Sequence, residues 1–203
     1  MNWIVTHHGR RVDLPTPQPG QVKIDDIATH LARLPRFAGA TSTLRSVAGH
    51  SLHVCDLALR AGASLGGQLA ALLHDAHEAY CADIPHPFKA AVAQARNQTT
   101  GCALIITEHE LQREVLLQLG ALTAMRAWSD HVRHWDLVSL ATERQDLMHP
   151  NAQLDTWPVL NGIEPDKQRI HGDPYDWYGM AHMFRMRFDQ LASAILAEQD
   201  DTV

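Results

Sequence analysis

Apolar residues recur at helical spacing along most of the chain, and polar or proline-rich stretches separate these regions. Strand-like patterning is confined to residues 2–5 and 11–14, which predict a short N-terminal β-hairpin. The helical spacing predicts helices over residues 27–32, 46–61, 67–80, 103–119, 122–148 (in one part or two) and 179–198. The predicted fold class is therefore all-α, a compact bundle of five to seven helices.

Proline and glycine mark the places where regular structure is predicted to stop. The prolines within residues 15–19 and 82–87 predict loops, and residues 36–45 are small and polar. Residues 149–178 hold several prolines and glycines, and so long a loop in a compact domain is usually functional or flexible. We expect one domain over 1–203, with its core motifs in 24–148, a long loop in 149–178 and a C-terminal helix in 179–198.

Composition excludes several classes of protein. The 203 residues carry a formal charge of −6, which argues against general binding to nucleic acid. No apolar run approaches the roughly 20 residues of a membrane-spanning helix, and the N-terminus lacks the pattern of a secretory signal. The three cysteines, Cys55, Cys81 and Cys102, form no CxxC pair, so we expect no disulfide framework and a location in the reducing cytoplasm.

Histidine is unusually frequent, with 14 residues against 3 tyrosines and 4 phenylalanines, and it is the commonest metal ligand. His74 and Asp75 directly follow an apolar stretch at 69–73, where a buried imidazole and carboxylate are costly unless a metal or partner compensates them. Glu78 lies one turn further along the predicted helix, and Asp83 follows its end. An isolated His-Asp pair is a weak signal, and hydrogen-bonded polar helix residues are the alternative interpretation.

Two other predicted helices carry side chains that can meet this pair. His50 precedes His74 by 24 residues, which suits two antiparallel helices joined by a turn, and Asp136 is flanked by apolar residues that indicate an inward position. Its competitors for the same role are Asp130, Glu143 and Asp146. Two imidazoles and two carboxylates would form a nitrogen and oxygen site for Mn, Fe, Co, Ni or Zn, whereas Mg is a poorer match.

The stretches SVAGHSLHV and LLHDAHEAYCADIPHPFK, together with Asp136, resemble the HD-domain metal-dependent phosphohydrolases. Within that superfamily the chain is similar to the bacterial 5′-deoxynucleotidase branch. It is still more similar to the phage-type deoxynucleoside triphosphate triphosphohydrolases that act on dATP. In that group an arginine-plus-aromatic segment precedes the first histidine, and Arg36-Phe37 fits it. The resemblance extends over residues 24–143.

The resemblance implies a role for each matching residue. It makes His50, His74, Asp75 and Asp136 the metal ligands. It makes Glu78 and Asp83 the catalytic residues, with a second divalent ion beside them as an alternative role for Asp83. It places Arg36, Phe37 and Lys89 against the substrate. One position departs from the pattern, because relatives commonly have Glu immediately before the first His, and this chain has Gly49.

The activity implied by the resemblance is hydrolysis of a 2′-deoxynucleotide, with a dNTP favoured and dATP first, releasing deoxynucleoside and tripolyphosphate. A 5′-deoxynucleotidase that cleaves dNMPs is the alternative. The relatives form homo-oligomers, and the expected location is the cytoplasm of a bacterium or of a phage host. Alarmone hydrolases typically have HDxxED, and Ala79 argues against that class. A non-catalytic nucleotide sensor and a helical interaction protein without ligand are the hypotheses from other classes.

Overall fold

A computed structural model of the chain describes residues 2–95 and 99–200, with side chains at 2–94 and 103–200. The helices are α1 (Ile24–Leu31), α2 (Val47–Arg60), α3 (Leu65–Leu73), α4 (Glu78–Cys81), α5 (His86–Ala95), α6 (Thr99–Gln118), α7 (Leu122–Leu147) and α8 (Trp177–Asp200). Seven of these helices in the described residues have eight or more residues, and α4 is a single turn. The prediction of a compact all-α fold is confirmed.

The predicted N-terminal hairpin is also confirmed. Strands β1 (Trp3–Val5) and β2 (Arg11–Asp13) pair antiparallel, with Ile4 opposite Val12. The fully buried carboxylate of Asp26, in α1, accepts hydrogen bonds from Arg10 Nη1 at 2.8 Å and His8 Nδ1 at 2.7 Å. The hairpin is therefore fastened to the helical bundle through charged groups as well as through apolar packing.

Helix α3 lies at the centre of the bundle because it is apolar on nearly every side. All residues from 67 to 73 are buried, and α3 packs against α2, α7 and α8. The approach of α7 is close, since a Cβ added at Gly67 would lie 2.8 Å from two ring carbons of Trp128. The side chains that end α3 are consequently held in a rigid and dry part of the molecule.

The predicted helix over residues 67–80 is wrong in one respect, because the structure interrupts it at residues 74–77. The backbone there makes tighter bonds to the third residue back, from Ala76 N–H to Leu73 O and from Glu78 N–H to Asp75 O. The carbonyl of His74 accepts instead from Gln112 Nε2 at 2.8 Å. The chain turns at the two residues singled out by the sequence, and Glu78 begins the separate helix α4.

The structure differs from the predictions at α5 and at the ends of α8, and it decides between the two alternatives for α7. Residues 82–87 were predicted as a loop, but α5 begins at His86, because a proline at the second helical position needs no backbone N–H. Helix α7, Leu122–Leu147, is one continuous helix of 26 residues, which is the one-part alternative of the prediction. Helix α8 begins at Trp177 and ends at Asp200, two residues beyond the predicted bounds on each side.

Residues 149–176, which we call the strap, cross the surface between α7 and α8. They contain only two short 3-10 turns, Pro150–Gln153 and Pro158–Leu160. Aspartates fasten the strap to the helices: Asp146 of α7 accepts from Ile170 N–H at 2.8 Å, and Asp173 accepts from Ser46 N–H at 2.9 Å. Asp166 donates its own N–H to Thr142 Oγ1 at 2.8 Å.

The structure describes the surroundings of two of the three cysteines and the character of the long helices. Cys55 and Cys81 are free thiols, and burial raises their pKa values to about 11 and about 12, so both thiols stay protonated at neutral pH. The side chain of Cys102 lies outside the described residues. Among the helices that are described, none combines the length and the apolar character needed to cross a bilayer.

Candidate metal centre

Four predicted ligands converge from three parts of the chain. His50 lies in the first turn of α2, His74 and Asp75 lie in the turn after α3, and Asp136 lies midway along α7. The Nε2 atom of His50 is 3.0 Å from Asp136 Oδ1 and 3.8 Å from Asp75 Oδ2. The Nε2 atom of His74 is 3.1 Å from Asp75 Oδ2 and 3.9 Å from Asp136 Oδ1. The two imidazoles and two carboxylates therefore face a common point.

A metal ion fits this arrangement. One ligand atom from each of His50, His74 and Asp136 lies within 4.8 Å of the others, as a shared cation requires. Both Nε2 atoms are buried and make no hydrogen bond in the described structure, which is costly for a buried imidazole unless something else binds there. Nitrogen and carboxylate oxygen together are typical ligands of a divalent transition metal. His50, His74 and Asp136 could thus hold such an ion, with Asp75 beside them.

In each ring the opposite nitrogen is bonded to an acceptor, so Nε2 is the nitrogen that a metal would bind once the ring is neutral. His74 Nδ1 lies 2.8 Å from the carbonyl oxygen of Ala71, an acceptor only, so Nδ1 carries the proton. His50 Nδ1 lies 3.1 Å from Glu143 Oε1, a charged acceptor, and is protonated for the same reason. This is the orientation that metal-binding histidines require, with the second nitrogen bonded to a carbonyl or carboxylate.

Glu143, which the sequence analysis names only as a competitor of Asp136, contacts His50 from behind. Its fully buried carboxylate accepts from Arg36 Nε and Arg45 Nε, both at 2.9 Å, besides His50. Burial alone would raise the pKa of Glu143, but Arg36, His50 and Arg45 lower it well below its usual range. Glu143 is therefore a charged anchor behind His50, on the side away from the metal point.

The structure gives a reason for glycine at position 49, where the sequences that this chain resembles commonly have Glu. A Cβ added at Gly49 would lie 2.0 Å from Oδ1 of Asp173, a residue of the strap. The other oxygen of Asp173 accepts from the N–H of Ser46, which caps α2, and Oδ1 lies 3.7 Å from Arg45 Nη1. A carboxylate thus occupies the space beside residue 49, but it comes from the strap and not from position 49 itself.

Burial and the charge of Asp75 both raise the pKa values of the two predicted catalytic carboxyl groups, Glu78 and Asp83. Burial raises the pKa of Glu78, and the negative charges of Asp75 and Asp83 raise it further, well above its usual value. Its Oε2 atom is buried without a hydrogen-bond partner in the described residues. Burial also raises the pKa of Asp83, with Arg36 opposing the shift. Glu78 consequently keeps its proton where an exposed glutamic acid would lose it.

The three predicted substrate residues, Arg36, Phe37 and Lys89, lie in different surroundings. Arg36 is buried, and its Nη1 atom lies 3.8 Å from Asp75 Oδ2, so it is a cation at the edge of the cluster. Phe37 follows in a left-handed turn, with φ of 54°, and packs beside Trp157 with ring centroids 6.5 Å apart. Lys89 forms an ion pair with Glu108 at 2.8 Å. Its charge acts, against the effect of burial, to lower the pKa values of Glu78 and Asp83. The left-handed backbone at Phe37 is unusual for a residue other than glycine, and such backbone often marks a functional site.

The other two competitors of Asp136, Asp130 and Asp146, lie away from the cluster. Asp130 is exposed, and Asp146 pairs with Arg169 and the strap. Asp136, Ser139 and Glu143 share one face of α7 at intervals of three and four residues, which is a signal the sequence contained. That periodicity could have identified Glu143 as a partner of the site.

Metal binding is expected to strengthen as the pH rises. Burial lowers the pKa of His74, but Asp75 more than offsets this and raises it to about 9 in the metal-free protein. A metal must therefore displace a proton from His74, so the apparent affinity should rise about tenfold per pH unit below that value. Competition titrations with Zn²⁺ or Co²⁺ at three pH values measure this slope, and calorimetry in two buffers counts the proton. An affinity that is independent of pH would contradict the assignment of the proton to His74.

Comparison with known proteins gives relatives but no activity. No model of a known protein family matches the chain. Uncharacterized protein YfdR of Escherichia coli (strain K12) is 32% identical over 192 residues, which cover 95% of this chain and 97% of that protein. Uncharacterized protein RCAP_rcc00048 of Rhodobacter capsulatus is 46% identical over 170 residues, which cover 82% of this chain and 77% of that protein. Because the similarity spans nearly the whole of both chains, this protein belongs to the same family as YfdR.

Proposed function

We propose that this protein is a metal-dependent phosphohydrolase of the HD-domain type that acts on 2′-deoxynucleotides. The observation that carries the proposal is the convergence of His50 and His74, each with an unpartnered buried Nε2, on the carboxylates of Asp75 and Asp136. These residues are the ones that match the HD-domain pattern in the sequence. A buried cation, Arg36, and a buried carboxyl group, Glu78, border the same point.

The residues divide the chemistry of phosphate hydrolysis among them. A divalent ion at this site would polarise a phosphoryl oxygen and lower the pKa of water. Glu78, whose pKa is raised well above its usual value by burial, is suited to protonate the leaving oxygen. Arg36 stays charged, because nearby carboxylates, led by Glu143, raise its pKa against the effect of burial, and it can offset negative charge on the phosphate. Asp83 is suited to contact the sugar or to help hold a second ion.

The favoured substrate is a deoxynucleoside triphosphate, with dATP first, because the motifs around His50 and His74 are most similar to the phage-type triphosphohydrolases. The products would be a deoxynucleoside and tripolyphosphate. Cleavage of dNMPs by a 5′-deoxynucleotidase is the second candidate, since the same motifs are similar to that branch. The two activities require the same metal ligands and break the same ester bond, between the 5′ oxygen and the α-phosphorus. They differ in whether the α-phosphate carries two further phosphoryl groups. We also propose that the protein assembles as a homo-oligomer.

A product assay by ion-exchange chromatography tests the proposal. The protein is incubated with the four dNTPs, the four dNMPs and their ribose counterparts, with Mn²⁺, Co²⁺, Zn²⁺ or Mg²⁺ in turn. Tripolyphosphate from a dNTP establishes the triphosphohydrolase, and orthophosphate from dNMPs alone establishes the nucleotidase. The Asp136→Ala variant, purified identically, controls for contaminating phosphatases. Nucleotide binding without turnover under every metal would replace the enzyme with the sensor hypothesis.

A further inference from the structure

A chain of hydrogen bonds leads from His50 to the strap, behind the metal centre. His50 Nδ1 is 3.1 Å from Ser139 Oγ, in addition to its contact with Glu143. Ser139 Oγ is 2.9 Å from His53 Nδ1, and His53 Nε2 is 3.1 Å from Asp166 Oδ2. His50 and Ser139 are fully buried. These hydrogen bonds thus lead from α2 to α7, back to α2 and out to the strap.

The donor and acceptor in each bond follow from the two ends. Burial lowers the pKa of His53, so its ring is neutral at pH 7 and carries one proton. The carboxylate of Asp166 can only accept, because Arg60 and His53 keep its pKa below the usual range against the effect of burial. The proton of His53 is therefore on Nε2, and Nδ1 accepts from the hydroxyl of Ser139. The lone pair of Ser139 Oγ then faces His50 and accepts its Nδ1–H.

We propose that Ser139, His53 and Asp166 are positioning residues for His50, through which the strap helps to hold the tautomer that presents Nε2 to the metal. The inference rests on the proposed metal centre. Glu143 and Ser139 both accept from the same nitrogen, so they require the same tautomer. Asp166 is itself held in place by two donors from Arg60 and by its N–H bond to Thr142. Through Asp166, the strap thus contributes to the orientation of His50.

Two buried serines, Ser139 and Ser51, provide a matched pair of variants. Ser139→Ala removes the hydroxyl that joins His50 to His53. Ser51→Ala removes a hydroxyl from a serine next to His50 that is equally buried but has no hydrogen-bond partner in the described structure. We expect Ser139→Ala to bind Co²⁺ about tenfold more weakly, as is typical when the residue behind a metal ligand is lost. We expect Ser51→Ala to bind Co²⁺ like the wild type, and Ser139→Thr, which restores a hydroxyl, to recover part of the affinity.

A second measurement needs neither a variant nor a metal. Long-range ¹H–¹⁵N spectra of the metal-free wild type at about pH 8 report which nitrogen of each neutral histidine carries the proton. We expect the Nδ1–H tautomer for His50 and the Nε2–H tautomer for His53. The opposite tautomer at either ring, or an unchanged Co²⁺ affinity in folded Ser139→Ala, would overturn the proposal. No readout uses a nucleotide, so a protein that binds metal but hydrolyses nothing would refute the proposed activity and leave this inference standing.

Discussion

Replacing His74 with alanine should remove the bound metal and lower turnover by about 10³-fold or more, since metal-ion catalysis supplies several kcal/mol to such reactions. His74 provides one of two imidazole nitrogens at the centre, and its Nε2 atom lies 3.1 Å from Asp75 and 3.9 Å from Asp136. Without it, the remaining ligands are one imidazole and carboxylates, a set that binds transition metals much less tightly. Metal analysis after purification and the product assay measure both consequences.

His77→Ala is the matched control for this experiment. His77 is a second buried histidine in the same turn, three residues later, and its Nδ1 has no hydrogen-bond partner in the described structure. It belongs to no cluster of candidate ligands among the described residues. The same truncation there should leave the metal content near that of the wild type. If folded His74→Ala retained stoichiometric metal, or if His77→Ala lost it equally, the assignment of His74 as a ligand would fail.

The sequence was a good guide to which residues meet but a weaker guide to their surroundings. His50, His74, Asp75 and Asp136 were predicted to converge because polar groups within apolar stretches need a compensating partner. The structure brings these four together, and their role as ligands remains a prediction. Asp136 was chosen because its neighbours are apolar, and Trp135 is indeed buried, while Asp136 itself keeps 36% of its side chain exposed. Facing a cluster is therefore compatible with partial exposure.

The role of Asp173 could not be derived from local pattern. For Glu143, the spacing along α7 indicates the shared face but not its partners. Glu143 lies seven residues after Asp136, about 10 Å further along the same face of α7, so it cannot bind the same ion and reaches the back of His50 instead. Asp173 contacts the start of α2 although more than a hundred residues separate them, and no periodicity encodes such a contact. Both carboxylates act through tertiary packing, which a single sequence does not contain.

The interruption of the helix at 74–77 shows a second limit. Apolar spacing continues through His74 and Asp75 without a break, so the pattern predicted one helix over 67–80. The helix ends because Gln112, from α6, binds the carbonyl of His74 and the backbone closes into tighter turns. At α5 the error is the opposite one, because a helix begins where the pattern predicts a loop. Pro87 was weighted as a helix breaker, although proline is well tolerated at a helix start.

The last prediction concerns the proton on Glu78. Glu78→Gln keeps the shape of the side chain and removes the acid, so the metal should remain while turnover falls by about 10²–10⁴-fold. The physical reason is the raised pKa of the buried carboxyl group, which keeps a proton available beside Asp75 and Asp83. If Glu78 protonates the leaving oxygen, the loss should shrink sharply for a p-nitrophenyl phosphate ester, whose leaving group needs no proton. An equal loss with both substrates would assign Glu78 to another step, and unchanged turnover would remove it from the mechanism.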